Sequence, residues 1–548
     1  MPRPSSLPLT LPMLRALAGL PPTEVSRATF DATGRGFDRR TLLRAGGALA
    51  GLVALGRSPV ARALGVPVPA PSPFTLGVAS GDPTESSVVL WTRLAPDPLV
   101  GGGMDPAPVT VKWEVARDPA MLSVVRSGDE IALPSEAHTV HATVEGLESD
   151  RWYWYRFIAD GVTSPIGRTR TFPAPDSLPS RLRFALVSCQ DWQSGQFAVY
   201  HDITLQDIDC VVHVGDYIYE GGINTNAIRR HNSAEIQSLA DYRNRHALYK
   251  TDPWLQEAHA LFPFITTWDD HEVDNNYADE IQEAGQPRDV FLARRAAAYQ
   301  AYYEHMPLAR ATKPDGPDMQ LYRSLAFGRL ARLNMLDTRQ YRTDQPCGDS
   351  IQSPCPQVFS PSATLTGGEQ ERWLLKHLLL SRTRWNVIAQ QVMMAEMDFT
   401  KGFGSPVLNM DGWDGYNAAR RRILLSIARY RIPNTIVLTG DIHSAWAADL
   451  KPDFADPLSP VVASEFVGTS VTSGFAVDLI HFIDLALPQN TQIKFFEGRK
   501  RGYVLFDVTP DLWQGQYRAV ESVTDALSPA STLKTFVVQH GVAGLQPG

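Results

Sequence analysis

Apolar positions along this chain follow two rhythms, and the change between them falls near residue 175. From Phe74 to Phe172 they come in short alternating runs, Ser87–Leu94, Val109–Ala116, His138–Val144 and Arg151–Ile158, separated by Asp-Pro, Gly-Gly-Gly and Ser-Asp turn signals. Roughly a hundred residues patterned this way predict a small β-sandwich over 74–172. Its most aromatic strand, Trp152 to Phe157, has two readings: aromatic packing in the sandwich core, or a flat platform for carbohydrate. Residues Pro173 to Pro179 carry three prolines in seven positions and predict a stiff interdomain linker.

Beyond the linker, apolar runs of five to seven residues alternate with long amphipathic stretches, the pattern of a layered α/β domain expected over 181–530. Helices are predicted over 233–249, 252–260, 290–305, 368–382 and 416–430. Asp252 stands as N-cap of the second, with Pro253 in its first turn.

The residues just after each apolar run carry the chemistry. Phe184–Val187 runs into Ser188-Cys189-Gln190, and Val211–Val214 into Gly215-Asp216-Tyr217-Ile218-Tyr219. Phe262–Thr267 runs into Trp268-Asp269-Asp270-His271-Glu272, with Asn275-Asn276 just beyond. Leu333–Leu336 ends in Asp337-Thr338-Arg339, and Thr435–Leu438 in Thr439-Gly440-Asp441-Ile442-His443. Ligands bind at the carboxyl ends of strands in sheets flanked by helices, so these five ends are expected to converge. A single Asp after a strand is commonly a helix cap, but five coincidences are not. Mixed carboxylate, imidazole, amide and phenolate donors favour hard or borderline cations, and Cys189 would serve as a thiolate on a strongly charged ion.

Paired cations at such a site can hydrolyse a phosphate ester with an activated hydroxide and no covalent enzyme intermediate. His271 would protonate the leaving alcohol or stabilise phosphoryl charge. Arg339 has two readings, a bidentate contact to a phosphate oxygen or an ion pair with a neighbouring carboxylate. The hydroxyl-rich Thr469-Ser470-Val471-Thr472-Ser473 fits no G-x-S-x-G elbow, which argues against a serine nucleophile and for a polar loop near the site.

Composition narrows the class. The 548 residues are 44% hydrophobic and 20% charged, a globular balance that excludes a disordered or fibrous chain. The formal net charge of −8 argues against a nucleic-acid-binding module, and an acidic protein handling phosphate needs local positive charge such as metal ions. Only 4 Cys are present, with no CxxC pair. Cys347 and Cys355, in a Pro/Gly/Ser-rich loop, read either as a disulfide formed in an oxidising compartment or as two free thiols, and Cys210 reads as a packed core residue.

Near the start, Asp38-Arg39-Arg40-Thr41-Leu42-Leu43-Arg44 precedes an apolar Gly/Ala-rich run to Gly56 and the small triplet Ala61-Arg62-Ala63. This order predicts a twin-arginine signal over 1–63, a mature chain from about Leu64 and a periplasmic or extracellular protein. The twin-arginine translocase is then a transient partner. No later stretch approaches the ~20 apolar residues of a membrane span, and a monomer is expected.

Gly146-Leu147 followed by the Trp152–Phe157 strand resembles a fibronectin type III strand pair. The strand-end segments, together with Gly440-Asp441-Ile442-His443-Ser444 and Gly77-Val78-Ala79-Ser80-Gly81-Asp82-Pro83, resemble the PhoD-like alkaline phosphatases, a branch of the calcineurin-like metallophosphoesterases. The resemblance implies a four-layer α/β/β/α core and an exported phosphatase with phosphodiesterase activity that scavenges phosphate. It also implies one ferric and two calcium ions. Cys189, Asp216, Tyr219 and His443 would surround the iron, and Asp216, Asn276 and Asp441 would face calcium. His271 matches the phosphate-proximal His of the wider superfamily, and Asp270 stands where that superfamily has an Asn ligand, leaving this corner open between Asp270 and Asn276. Ser188-x-Gln190 replaces the superfamily's D-x-H, so the iron site is of the Cys/Tyr kind or absent. Two other functions stay in view: a phospholipase D-type phosphodiesterase acting on lipid or wall polymer, and a wall-polymer binding protein with structural metals.

Overall fold

The computed structural model describes residues 72–400 and 404–548, so the signal segment expected at 1–63 lies outside the described residues. Its strands begin with β1 (Val78–Gly81), β2 (Val88–Arg93), β3 (Val109–Ala116), β4 (Val124–Ala132), β5 (Thr139–Val144), β6 (Trp152–Ala159), β7 (Val162–Thr163) and β8 (Gly167–Arg170). Next come β9 (Leu182–Val187), β10 (Cys210–Val214), β11 (Pro263–Thr267), β12 (Arg323–Phe327), β13 (Ala331–Met335), β14 (Ile351–Gln352), β15 (Trp385–Ala389) and β16 (Leu408–Asn409). The last are β17 (Thr435–Thr439), β18 (Ala445–Leu450), β19 (Ala463–Val467), β20 (Ile493–Glu497), β21 (Arg501–Val508), β22 (Leu512–Val520), β23 (Ala530–Gln539) and β24 (Gln546–Pro547). The helices are α1 (Ala198–Thr204), α2 (Leu239–Lys250), α3 (Pro253–Leu261), α4 (Arg288–His305), α5 (Gly367–Leu380), α6 (Asn417–Tyr430) and α7 (Val477–Ala486).

Two large sheets lie face to face. One has the order β24-β23-β22-β21-β9-β10-β11-β1-β2-β5, the other β12-β13-β15-β17-β19-β18-β20. Alternation within each strand sorts its side chains between layers. Phe184 and Leu186 of β9 meet Val387, Ala389, Ile436 and Leu438 of the second sheet, whereas Ala185 and Val187 turn outward onto the helical layer containing Phe197, Tyr299 and Tyr302. In the second sheet Ile388 and Val437 turn outward onto Leu374, Ile423 and Ile483 of α5, α6 and α7. The result is the expected α/β/β/α order. Strands buried on both faces read as unbroken apolar runs, which is why the sequence discloses them.

The N-terminal segment does form facing sheets, with β4-β3-β6-β7 and β8 on one side and β1, β2 and β5 on the other. Between them lies a core containing Val88, Leu90, Val111, Tyr153, Tyr155 and Phe157. Tyr153 and Tyr155 are thus core residues, not a platform. The second of these sheets is also the edge of the catalytic sheet, because β1 pairs in parallel with β11. That junction requires Gly81, where an added Cβ would stand 2.3 Å from the Pro307 carbonyl and 2.7 Å from that of Phe264. The segment Pro173–Pro179 is largely exposed but anchored, the Ser177 carbonyl accepting the Arg329 N–H at 2.7 Å.

Some expected boundaries move. The helix expected from 233 starts at Leu239, because Ser238 caps it and accepts the Asp241 N–H at 3.3 Å while the Asp241 carboxylate accepts the Ser238 N–H at 3.0 Å. Asp252 caps α3 as expected, accepting the N–H of Trp254 and Leu255. The strands β20 to β24 and the helix α7 have no counterpart among the elements the sequence predicts, although β21, β22 and β23 close one side of the first sheet. No helix among the described residues is long and apolar enough to cross a membrane.

Candidate metal centre

β9, β10 and β11 run parallel, as do β13, β15 and β17, so both sheets present carboxyl ends at the same kind of edge. There the backbone turns abruptly. Cys189, Asp216, Asn276, Asp441 and His443 all adopt left-handed φ angles, from 50° to 59°. Such a conformation costs a non-glycine residue about 1–3 kcal/mol and gathers at functional sites. Gly215 lets two of these turns close on each other, since a Cβ there would sit 2.4 Å from that of Asp269.

Three donor groups result: Cys189, Asp216 and His443; Asp216, Asp270 and His271; and Asp269, Asp270 and Asp441, the ligand atoms of each group within 4.8 Å of one another. In the first corner the Tyr219 hydroxyl lies 2.9 Å from Asp216 Oδ2, to which it donates, and 3.0 Å from His443 Nε2. His443 Nδ1 faces the Gly474 carbonyl at 3.0 Å. With its proton there, Nε2 is left as a lone-pair donor. Ser473, from the hydroxyl-rich loop, places its Oγ 2.7 Å from the Tyr219 hydroxyl and 2.8 Å from the Cys189 carbonyl. Burial, with Asp216 close by, pushes the Cys189 thiol and the Tyr219 phenol well above their usual pKa. Both would therefore ionise only against a strong positive charge.

The second corner is organised by Arg339, whose side chain has no exposed surface. Its Nε donates to Asp269 Oδ1 at 2.5 Å, one terminal nitrogen to Asp411 Oδ1 at 2.9 Å, and the other lies 3.3 Å from both Asp270 and Asp441. Of the two readings of Arg339, the structure shows the ion pairs with neighbouring carboxylates. Arg342 also reaches Asp411, so two guanidiniums face four acids and an excess of negative charge remains. Burial, followed by the other carboxylates and only partly offset by Arg339, raises Asp441 to about 7 and Asp269 and Asp270 above the usual carboxylate range. Asp216 behaves oppositely. Burial opposes its ionisation, yet His271 and His443 hold it down at about 2.

His271 sits between the corners, its ring stacked near Tyr219 with centroids 4.2 Å apart. Its Nδ1 meets Glu220 Oε2 at 2.7 Å, and Glu220 also accepts the Asn275 N–H at 3.1 Å. Burial works against charge on this imidazole, but Glu220, Asp270 and Asp216 raise its pKa well above the ordinary value. Asn276 donates its N–H to Asp270 Oδ2 at 2.7 Å and lines a cleft with Asp441 and His443, so the structure brings both Asp270 and Asn276 to the open corner.

Three supporting carboxylates are missing from the residues the sequence singles out. Glu272 accepts the N–H groups of Asp216, Tyr217 and Asp269 at 3.1, 2.6 and 2.9 Å, tying the turns after β10 and β11. Glu220 holds His271. Asp411 joins Arg339 to Arg342 and Gln345. Glu272 and Glu220 sit within or beside the strand-end motifs, where a carboxylate next to a ligand is a usable signal. Asp411 carries none.

The donor set fits cations. Asp216 Oδ1 and Asp269 Oδ2 are buried with no hydrogen-bond partner, and Asp270 Oδ1 has only the off-axis approach of Arg339. Leaving such oxygens unpaired costs several kcal/mol, which a bound cation removes.

A four-layer α/β/β/α core with clustered carboxylate, imidazole, thiol and phenol donors at its strand ends defines the metallophosphoesterase class of hydrolases. Within that class, residues 184–517 match the family model of the PhoD-like phosphatases, and residues 60–173 match that of the PhoD-like phosphatase N-terminal domain. Alkaline phosphatase D of Bacillus subtilis (strain 168) is 48% identical over 522 residues, covering 93% of this chain and 89% of that protein. A solved structure of PhoD is 49% identical, covers 88% of this chain and 93% of its own, and superposes with a TM-score of 0.84. The chain belongs to the PhoD-like phosphatase family and is a phosphoric ester hydrolase.

Proposed function

We propose that this protein is an exported, metal-dependent alkaline phosphatase with phosphodiesterase activity that releases phosphate outside the cytoplasm. The observation carrying the metal dependence is the excess of buried carboxylates around Arg339, with Asp216 Oδ1 and Asp269 Oδ2 left unpaired. Cys189, Tyr219 and His443 would hold a ferric ion, because a thiol and a phenol pushed up by burial ionise only beside a highly charged cation. Asp216 would be shared, and Asp270, Asn276 and Asp441 would hold calcium, which takes oxygen donors. Bound there, the ions would supply an activated hydroxide and neutralise charge on the phosphoryl group.

The chain's own groups supply the rest. Glu220 binds His271 Nδ1 and keeps the imidazole charged, so Nε2 is the nitrogen from which a proton can pass to the departing alkoxide. Arg339 holds Asp269, Asp270 and Asp441 in register instead of touching substrate. Export rests on Arg39-Arg40 and the apolar run behind them, and is supported by the disulfide joining Cys347 to Cys355, a bond that persists in oxidising compartments. The twin-arginine translocase would act during export, and the mature protein would work as a monomer in the periplasm or outside the cell.

Elemental analysis of the purified protein, paired with assays on 4-nitrophenyl phosphate and bis(4-nitrophenyl) phosphate, tests this reading. Iron and calcium together with turnover of both esters are expected. Absence of both metals from an active preparation, or full activity in Asp216→Asn, would overturn it.

A further inference from the structure

The cleft that Asn276, Asp441 and His443 line has a second wall of a different character. About 280 Å³ in volume, it continues from the donor groups onto Ile351, Phe399, Ile442, Phe475, Leu479 and Ile483. Two of these belong to α7, in which Ile480 and Ala486 point into the core, Phe482 is half-buried, and Val477 and Leu485 remain exposed. Leu479 is half-buried at the cleft. The wall offers no side-chain hydrogen-bonding group. The polar lining on this side is Asp349, Asn409 and Asp411, and the latter two are engaged, Asn409 Oδ1 with the Asp411 N–H and Asp411 with Arg339 and Arg342.

We propose that this wall is the subsite for the organic arm of the ester and that it selects a short apolar arm. The inference rests on the phosphoesterase reading of the adjoining donors and adds the substrate class. An alkyl or aryl arm laid on this wall would remove apolar surface from water, a gain of about 25 cal/mol per Å² that a methyl arm is too short to collect. An anionic arm would meet Asp349 and the carboxylate excess beyond it. The volume, near the lower end of the roughly 300–1,000 Å³ of small-molecule sites, suits one alkyl or aryl chain.

The test compares two soluble diesters with the same leaving group, methyl 4-nitrophenyl phosphate and octyl 4-nitrophenyl phosphate, on the metal-loaded enzyme. We expect kcat/KM to favour the octyl ester by ~10-fold or more, the scale of discrimination that hydrophobic pockets give. In Leu479→Asp the octyl-to-methyl ratio of kcat/KM collapses towards unity; Leu479→Ala, a milder change at this half-buried position, reduces it part-way. Equal kcat/KM for the two esters in the wild type, or an undiminished octyl preference in Leu479→Asp, would overturn the subsite. No turnover of either ester would instead break the phosphoesterase reading beneath it. A phosphatidylglycerol vesicle arm separates sources of the chain: turnover of the soluble octyl ester with none of vesicles is expected, and a preference for vesicles over the soluble ester would replace the short-arm subsite with a membrane surface.

Discussion

The two corners of the centre solve the same electrostatic problem in opposite ways. Around Asp269, Asp270 and Asp441 the protein provides its own cation, the fully buried Arg339, and the donors are oxygens only. Around Cys189, Tyr219 and His443 no guanidinium of the described residues reaches the donor atoms, Arg501 stopping at the His443 carbonyl. There the Tyr219 hydroxyl bonds Asp216 and His443 and accepts from Ser473, while the Cys189 thiol donates to Ser188 Oγ at 3.3 Å. The first corner is partly neutralised before any ion arrives and suits a hard cation of modest charge. The second would stay protonated unless a strongly charged ion displaced its protons. Asp216 belongs to both, which makes it the residue through which loss at one corner reaches the other.

The largest break is expected at that shared residue. Asp216→Asn should lower kcat by about 10³-fold or more, on the scale of losing a group that stabilises developing charge, with both metals reduced in elemental analysis. Arg339→Met should come next and act on stability, costing about 3–5 kcal/mol by leaving buried carboxylates uncompensated. Denaturation with and without added calcium checks it, and the comparison requires calcium to restore part of the loss.

Cys189→Ser should cost about 10²-fold in activity and remove iron selectively, with calcium content retained; equal loss of both metals would abolish the distinction between the corners. Glu220→Gln touches neither corner directly. It should lower kcat by about 10-fold through misorientation of His271, with metal content unchanged.

A further effect separates the centre from its surroundings. His141, held near pKa 4 by burial, and His246, His259 and His305, pushed well below the ordinary value by burial and by nearby Lys250 or Arg93, are buried neutral away from the donor groups. Their unfolded pKa is near 6.5, so the unfolded chain takes up protons first. Stability from burying them is intact above about pH 6.5 and is lost as pH falls towards 4. At pH 5 the loss from His141 should be about 2 kcal/mol, and added calcium should leave it unchanged. Thermal unfolding across pH 5–8, with and without metal, measures it.

Much of the centre is legible in the residue order. The five strand ends can be read because each follows an apolar run long enough to be a buried strand, and Asp216, Asp441 and His443 stand within a few residues of that run. Ser473 and Asp411 cannot be assigned that way, since their partners are remote: Ser473 is 254 residues from Tyr219 and Asp411 is 72 from Arg339. The apolar wall is illegible for the same reason, being assembled from Ile351, Phe399, Phe475 and Leu479 with no common period.

By itself, the order of residues determined the alternation of strands and helices and the identity of the donors at the strand ends, because both follow from neighbours two to four positions apart. Tertiary structure alone decided which carboxylates surround Arg339, that β1, β2 and β5 continue the catalytic sheet, and which donors share a corner. Those outcomes depend on how sheets stack and turns close, and on how charge is balanced inside a low-dielectric interior, where one guanidinium and five left-handed turns set which atoms meet.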